Sequence, residues 1–168
     1  MSAHSLNALC RLIGLSKPSF YRTFGSEDGL MTAALDHYRE LAIVPLLGLL
    51  AADEPFAQLL DASLEWLTSD HGAPAGCLFT RMRLSSARLG PSTKARVREI
   101  EQERRAAFTA SYQRGLERGE VDQTLSASFA AYFIDTQLTA ALVQRAAGDP
   151  PDMVKAQTRL AFRTLLIQ

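Results

Sequence analysis

The sequence has little cysteine, no long apolar run and no net charge, and each shortage excludes a class of protein. Its two cysteines, Cys10 and Cys77, lie far apart and form no CxxC pair, so neither a disulfide framework nor a zinc site is expected. The three histidines, His4, His37 and His71, have no metal-ligand spacing. No stretch of about 18 residues is apolar enough to span a bilayer, and the N-terminus lacks the pattern of a signal peptide. We therefore expect a cytoplasmic protein with no membrane segment, metal or cofactor.

Net charge and catalytic motifs are equally sparse. The 18 lysines and arginines balance the 18 aspartates and glutamates, so contact with nucleic acid must come from a local patch rather than from a global basic field. The sequence contains no nucleophile–base pairing and no glycine-rich phosphate loop. We therefore predict that the protein is not an enzyme.

Helix-forming residues dominate what is present. Alanine, leucine, arginine and glutamate are abundant and β-branched residues are scattered, which predicts an all-α fold. Pro45 should kink or end the third helix. Residues 1–44 are expected to form a small head with its linking helix, and residues 45–168 a larger helical core. Turn residues delimit the predicted helices, which cover residues 5–13, 16–24, 26–44, 55–69, 76–88, 92–118, 124–147 and 152–167.

Two short helices joined by residues 13–15 are the most informative feature of the sequence. A helix-turn-helix needs a tight turn, hence a glycine, and its second helix lies in the major groove with its N-terminal residues toward the bases. Before the first acid, Glu27, the charged residues are Arg11, Lys17 and Arg22. This local excess of positive charge is what a DNA-facing segment of a neutral protein needs.

This segment resembles the head of the tetracycline-repressor (TetR) family, whose pattern reads roughly I-A-x-x-A-G-V-S-x-x-x-x-Y-x-x-F-x-S-K-E-x-L. The matching positions are Gly14, Ser16, Tyr21, Phe24, Ser26 and Leu30, with Cys10 in the place of a small residue. The resemblance implies a DNA-binding regulator, with DNA contacts from Ser16, Lys17, Pro18, Ser19, Tyr21, Arg22 and Thr23. Ser16 would cap the second helix, and Tyr21 would give its hydroxyl to a phosphate.

Three departures from the family pattern have consequences. The family has a complete helix before the Ser5 cap, whereas four residues precede Ser5 here; we expect the reading frame to extend upstream of Met1. Glu27 stands where the family has a lysine and repels phosphate. Ile13 replaces a small residue at the helix crossing. The alternative to a regulator is therefore a helical ligand-binding or interaction protein that has lost DNA binding.

The helix predicted over residues 124–147 is too weakly charged for the surface of a monomer. Residues 123–144 contain one charge, Asp135, so this helix and the last one favour a four-helix bundle between two copies over a central position in a monomer. The family resemblance implies the same homodimer. The predicted interface residues are Tyr132, Thr136, Ala140, Val143, Leu160, Ala161 and Thr164.

An effector pocket is implied by the resemblance alone, and for each candidate residue the favoured interpretation is ordinary core. The candidates are Trp66, Phe79, Met82, Arg104, Phe108, Tyr112 and Phe133. Arg104 lies on the apolar stripe of its helix between Ile100 and Phe108. The favoured interpretation is that its side chain reaches water at the edge of the stripe; the alternatives are an acidic ligand or Asp135. Cys77 is interpreted as a small buried hydrophobe rather than a redox sensor.

Together these features predict a repressor with three partners: double-stranded operator DNA, a small-molecule effector and a second copy of the chain. The two second helices would lie about one DNA turn apart, roughly 34–36 Å, on an inverted repeat. The effector would favour another separation and weaken DNA binding.

Overall fold

The computed structural model describes residues 6–12, 14–69 and 77–167. Within these ranges the chain forms α-helices and no strand, which confirms the predicted all-α fold. Ser5 and Ile13, the predicted ends of the first helix, lie outside the described residues. No described helix is both long and apolar enough to cross a membrane. The helices are α1 Leu6–Leu12, α2 Lys17–Phe24, α3 Glu27–Tyr38, α4 Val44–Ala51, α5 Phe56–Thr68, α6 Leu78–Leu84, α7 Pro91–Glu117, α8 Ala127–Ala147 and α9 Pro151–Phe162.

Pro45 does not end the helical path, because a wide turn precedes it. Residues Arg39–Ile43 form a π-helix between α3 and α4, and the backbone N–H of Val44 bonds to the carbonyl of Arg39. A π turn widens the helix and relieves the clash that a proline ring makes with the preceding turn. The indole N–H of Trp66 donates to the carbonyl of Ala42 over 3.0 Å, so a carbonyl inside the wide turn is satisfied from α5.

Two other predicted boundaries were wrong for local reasons. The helix predicted over residues 76–88 ends at Leu84, and Ser86–Arg88 form a short 3-10 turn. The helix predicted from residue 124 begins at Ala127, because Asp122 accepts a hydrogen bond from the N–H of Thr124 over 2.8 Å and holds the chain in a turn. Ser126 then caps α8 by accepting from the N–H of Phe129.

Among the described residues the core consists of two apolar clusters, and α7 belongs to both. The larger lies among α4, α5, α7, α8 and α9, where Phe56 meets Tyr112 edge to face with ring centroids 5.3 Å apart. The smaller joins α3 and α6 to the first half of α7 around Leu35, Phe79 and Ile100. Helix α7 therefore connects the linking helix α3 with the centre of the larger helical core predicted over residues 45–168, the body of the protein.

Candidate nucleic-acid interface and buried polar cluster

A glycine makes the tight turn between α1 and α2. Gly14 has a φ of +69°, a conformation that residues with a Cβ rarely adopt. The N–H of Leu15 bonds back to the carbonyl of Cys10 over 3.0 Å, which closes the end of α1. The side chain of Cys10 is buried, as expected for the position where a small residue lies at a helix crossing.

Helix α2 is capped and oriented as a recognition helix requires. Ser16 Oγ accepts from the N–H of Ser19 over 3.2 Å, which confirms the predicted cap. Phe20 is fully buried and contacts the ring of Phe24 at 5.4 Å between centroids. Its burial turns the opposite face of α2 outward. The predicted DNA-contact residues Ser16, Lys17, Pro18, Tyr21, Arg22 and Thr23 are exposed, and Ser19 is half-buried.

The head is joined to the body through Asp28, a residue that the sequence analysis did not single out. Asp28 Oδ2 accepts from the N–H of Ser92 over 2.9 Å, and Oδ1 accepts from the N–H and the hydroxyl of Thr93 over 3.1 and 2.6 Å. The Thr93 hydroxyl in particular lowers the pKa of Asp28 below its ordinary value. Helix α7 begins after Gly90, which has no side chain to cap it. The absence of a capping side chain at Gly90 was the signal in the sequence that could have indicated an acceptor from elsewhere in the chain.

Arg104 is buried against an internal carboxylate rather than exposed to water. The side chain is 1% exposed, and its Nη2 lies 2.9 Å from Oδ1 of Asp135 on α8. Its guanidinium also lies over the Phe79 ring, 5.0 Å from the centroid. The favoured interpretation, emergence at the edge of the stripe, was wrong, and the Asp135 alternative is confirmed. Burial of the α7–α8 crossing leaves no path for the guanidinium to reach water.

A second arginine completes this buried cluster. Arg83 of α6 donates from Nη1 to Oδ2 of Asp135 over 3.0 Å, and its Nη2 lies 3.2 Å from Glu101 Oε1. Asp135 therefore contacts one arginine through each oxygen, as a carboxylate enclosed in the body requires. The sequence analysis missed Arg83. Helix α6 is too short for its periodicity to show which face is buried, and the nearby Arg81 is exposed.

The structure brings together three of the seven candidate pocket residues. Phe79 and Met82 of α6 lie in the smaller apolar cluster, and Arg104 covers the Phe79 ring. The remaining four, Trp66, Phe108, Tyr112 and Phe133, belong to or pack against the larger cluster.

Cys77 is buried beside the smaller cluster, next to Tyr38 at the end of α3. Burial, and then the neighbouring Cys77, raise the pKa of Tyr38 above its ordinary value. The hydroxyl of Tyr38 therefore stays protonated, which places a neutral polar group between α3 and the cysteine. The burial of Cys77 agrees with its interpretation as a small buried hydrophobe.

Comparisons with known proteins agree with this geometry. The family model described as "Tetracyclin repressor-like, C-terminal domain" matches residues 55–160. The HTH-type transcriptional repressor BdcR of Escherichia coli (strain K12) is 33% identical over 69 residues, which are 39% of this chain and 35% of BdcR. A TetR-family regulator from Agrobacterium tumefaciens superposes with a TM-score of 0.84 at 19% identity, covering 97% of this chain and 87% of that one. The TetR-family regulator CifR, in a complex with 26 bp double-strand operator DNA, superposes with a TM-score of 0.75 at 28% identity, covering 95% and 85%.

The chain belongs to the tetracycline-repressor family. The matched residues 55–160 make up more than half of the sequence, and they confirm the family that the head resembles. The matched part of BdcR is about a third of that protein's length.

The outer faces of α8 and α9 of this TetR-family chain carry an apolar surface. Six of the seven predicted interface residues are exposed in the single chain, and Ala161 is half-buried. Tyr132, Val143 and Leu160 are 55%, 42% and 64% exposed. Two further large apolar side chains lie on the same faces: Phe129, one turn before Tyr132, and Met153, two turns before Leu160. Phe129 was missed by the sequence analysis, although its spacing of one turn from Tyr132 was the signal that could have found it.

Proposed function

We propose that this protein is a transcriptional repressor that binds operator DNA through α2. The observation that carries the proposal is the two-sided character of α2. Phe20 is buried, while Lys17, Tyr21 and Arg22 stand together on the exposed face of a capped helix. A capped helix start with a cation and a hydroxyl suits phosphate, and the residues of its first turn suit base edges. The operator complex of CifR supports this placement.

We further propose that two copies associate through α8 and α9. Exposed Tyr132, Val143 and Leu160 would lie in water in a monomer, and contiguous apolar surface of this kind marks an interface. A groove of about 620 Å³ beside Met153 and Leu160 offers a place for side chains of the second copy. Dimerisation would place two α2 helices on one operator.

The buried polar cluster is the proposed place of effector action. Nε of Arg104 and Oγ1 of Thr80 are buried and have no hydrogen-bond partner among the described residues. A small molecule with a carbonyl or carboxylate oxygen would supply the missing acceptor for Arg104. Such a molecule would compete with Asp135 and shift α7 against α8. Because α7 also carries the contacts to Asp28, the shift would reach the head.

Selection of bound fragments from random duplex DNA tests the DNA-binding proposal. Tyr21→Phe should raise the operator Kd at least tenfold for all sequences alike, because a hydrogen bond to a charged phosphate is worth about 1.5–3 kcal/mol. Ser86→Ala, which removes an exposed hydroxyl in the 3-10 turn after α6, is the control and should leave the Kd unchanged. Substitution of Ser19 should change the preferred sequence instead.

Salt titration distinguishes a chain that contacts DNA phosphates from one that binds no DNA. Binding should weaken steeply as salt rises, and Arg22→Gln should reduce the slope of log K against log salt by about 0.9 for each half-site, hence by about 1.8 for the dimer. A chain that binds no duplex at low salt would contradict the proposal and favour the alternative of a helical ligand-binding protein. A Tyr21→Phe variant with altered sequence preference alone would show that α2 is placed wrongly.

A further inference from the structure

We propose that Asp28 is the positioning residue that sets the angle of the DNA-binding head, by capping the N-terminus of α7 from another helix. The consequence at the operator rests on the proposed DNA-binding function. The effect of Asp28 on the angle between the head and α7 does not depend on that function. It assigns to Asp28 and Gly90 a role in the spacing of half-sites, in addition to the DNA contacts of α2.

The contact satisfies the start of the longest described helix. Helix α7 spans 27 residues and begins at Pro91, with no side-chain cap from its own Gly90. The first N–H groups of a helix need acceptors, and its N-terminus attracts negative charge. Asp28 supplies both, since its carboxylate receives the N–H groups of Ser92 and Thr93 and the Thr93 hydroxyl. A carboxylate 62 to 65 residues earlier in the chain thus replaces the local cap.

Gly90 leaves the space that this contact needs. A Cβ at Gly90 would overlap the carboxyl group of Asp28 and lie 2.7 Å from its Cβ. The backbone of Gly90 has φ −70° and ψ 169°, which any residue adopts without strain. An alanine at residue 90 would therefore overlap the side chain of Asp28 without straining its own φ and ψ. Gly90→Ala is for this reason a selective probe of the contact.

Asp28 is the first of a series of polar contacts along one face of α3. One turn later, Thr32 Oγ1 lies 3.1 Å from Thr93 Oγ1, and further along α3 Asp36 accepts from Arg96 Nε. At the end, Arg39 Nε donates to Glu103 Oε2 over 2.9 Å. Asp28 lies nearest to α2, which ends at Phe24. No other contact of this series lies between Asp28 and α2. A small change at Asp28 therefore displaces α2 directly.

One distance inside a single chain tests the structural part of the proposal. Spin labels at Leu12→Cys and Gln113→Cys report the head against α7, since Leu12 is 84% exposed and Gln113 is exposed, while both native cysteines are buried. Labelled chains are diluted with unlabelled chains so that distances within one chain dominate. Asp28→Ala and Gly90→Ala should each broaden the distance distribution.

Matched controls isolate the contact. Glu27→Ala removes the neighbouring exposed acid, and Gly48→Ala adds a methyl where no atom lies within 4 Å; both should keep the narrow distribution. The double variant Asp28→Gly/Gly90→Ala should match Asp28→Gly alone, because a glycine at residue 28 removes both the carboxylate and the Cβ that an alanine at residue 90 would meet. Distributions as narrow as that of the unaltered chain, or additive effects in the double variant, would overturn the proposal. Asp28→Asn serves if Asp28→Ala fails to fold.

Operators with altered half-site spacing test the consequence for DNA. The unaltered protein should prefer one spacing, and in Asp28→Ala and Gly90→Ala the ratio of affinities between the best spacing and one base pair more or less should fall by roughly fivefold or more. A merely structural role would weaken all spacings alike and is excluded by a changed ratio. If the unaltered chain selects no operator, the DNA-binding function fails, while the distance measurement still decides the role of Asp28.

Discussion

The two sides of α7 are stabilised by different kinds of interaction. Toward the head, α7 contacts α3 and the π turn after it through polar and ionic pairs at the helix edge, such as Asp28 with Thr93 and Arg39 with Glu103, as well as through the buried Leu35. Toward the body, it is buried against α8 among apolar side chains, with Arg104 and Asp135 enclosed between them. Water can replace the first kind of contact one bond at a time, whereas the second resists any partial opening.

This difference suits a regulator. The body needs one stable arrangement, and burial of α7 against α8 provides it. In the proposed mechanism the head has two arrangements of similar free energy, and contacts that exchange with water allow both. Signals that reach α7 from the Arg104 cluster would therefore change the joint at Asp28 before they change the body.

The largest effect is expected from breaking the buried pair. Asp135→Asn leaves Arg104 buried without an opposing charge, so the free energy of unfolding should fall by about 3–5 kcal/mol. Chemical denaturation followed by circular dichroism at one protein concentration measures it. Asp149→Asn, at an exposed acid just after α8, is the control and should change stability by less than about 0.5 kcal/mol.

The pair can also be removed as a whole. Arg104→Met/Asp135→Leu leaves no unpaired charge in the body, so it should recover most of the stability lost in Asp135→Asn. A double variant as unstable as Asp135→Asn would show that the arginine and the aspartate contribute through other contacts.

A smaller effect is expected at the outer face of the body. Leu160→Glu places a charge in the proposed interface and removes about 2 kcal/mol of apolar burial, which is roughly a thirtyfold rise in the dimer Kd. Light scattering should show a mass falling from twice 18.4 kDa toward 18.4 kDa. Gln113→Glu, on the exposed face of α7, should leave the mass unchanged. A monomeric unaltered chain would contradict the proposed interface.

The parts of the molecule predicted from the sequence are those determined locally. The Gly14 turn and the Ser16 cap depend on residues a few positions apart, so spacing alone predicted them. The contact of Asp28 with α7 joins residues more than 60 positions apart, and nothing near Asp28 in the sequence indicates it. Arg104 shows the same limit: its place on an apolar stripe indicated an unusual environment, but the choice between water and Asp135 depended on the crossing of α7 and α8.

Acid should loosen the head before it affects the apolar contacts of α7, and this is the smallest of the expected effects. Hydrogen bonds, first from the Thr93 hydroxyl, lower the pKa of Asp28 below its ordinary value of 3.8. A lowered folded-state pKa contributes stability that is fully present above the ordinary value and is lost as pH falls through the lowered one. The difference in unfolding free energy between the unaltered chain and Asp28→Asn should therefore stay constant from pH 7 to about pH 4 and shrink below it. Denaturation series at each pH measure this, with Glu27→Gln as control. A difference that grew with acid would mean that α7 does not hold the ionised carboxylate, and the contrast between the two sides of the helix would then need another cause.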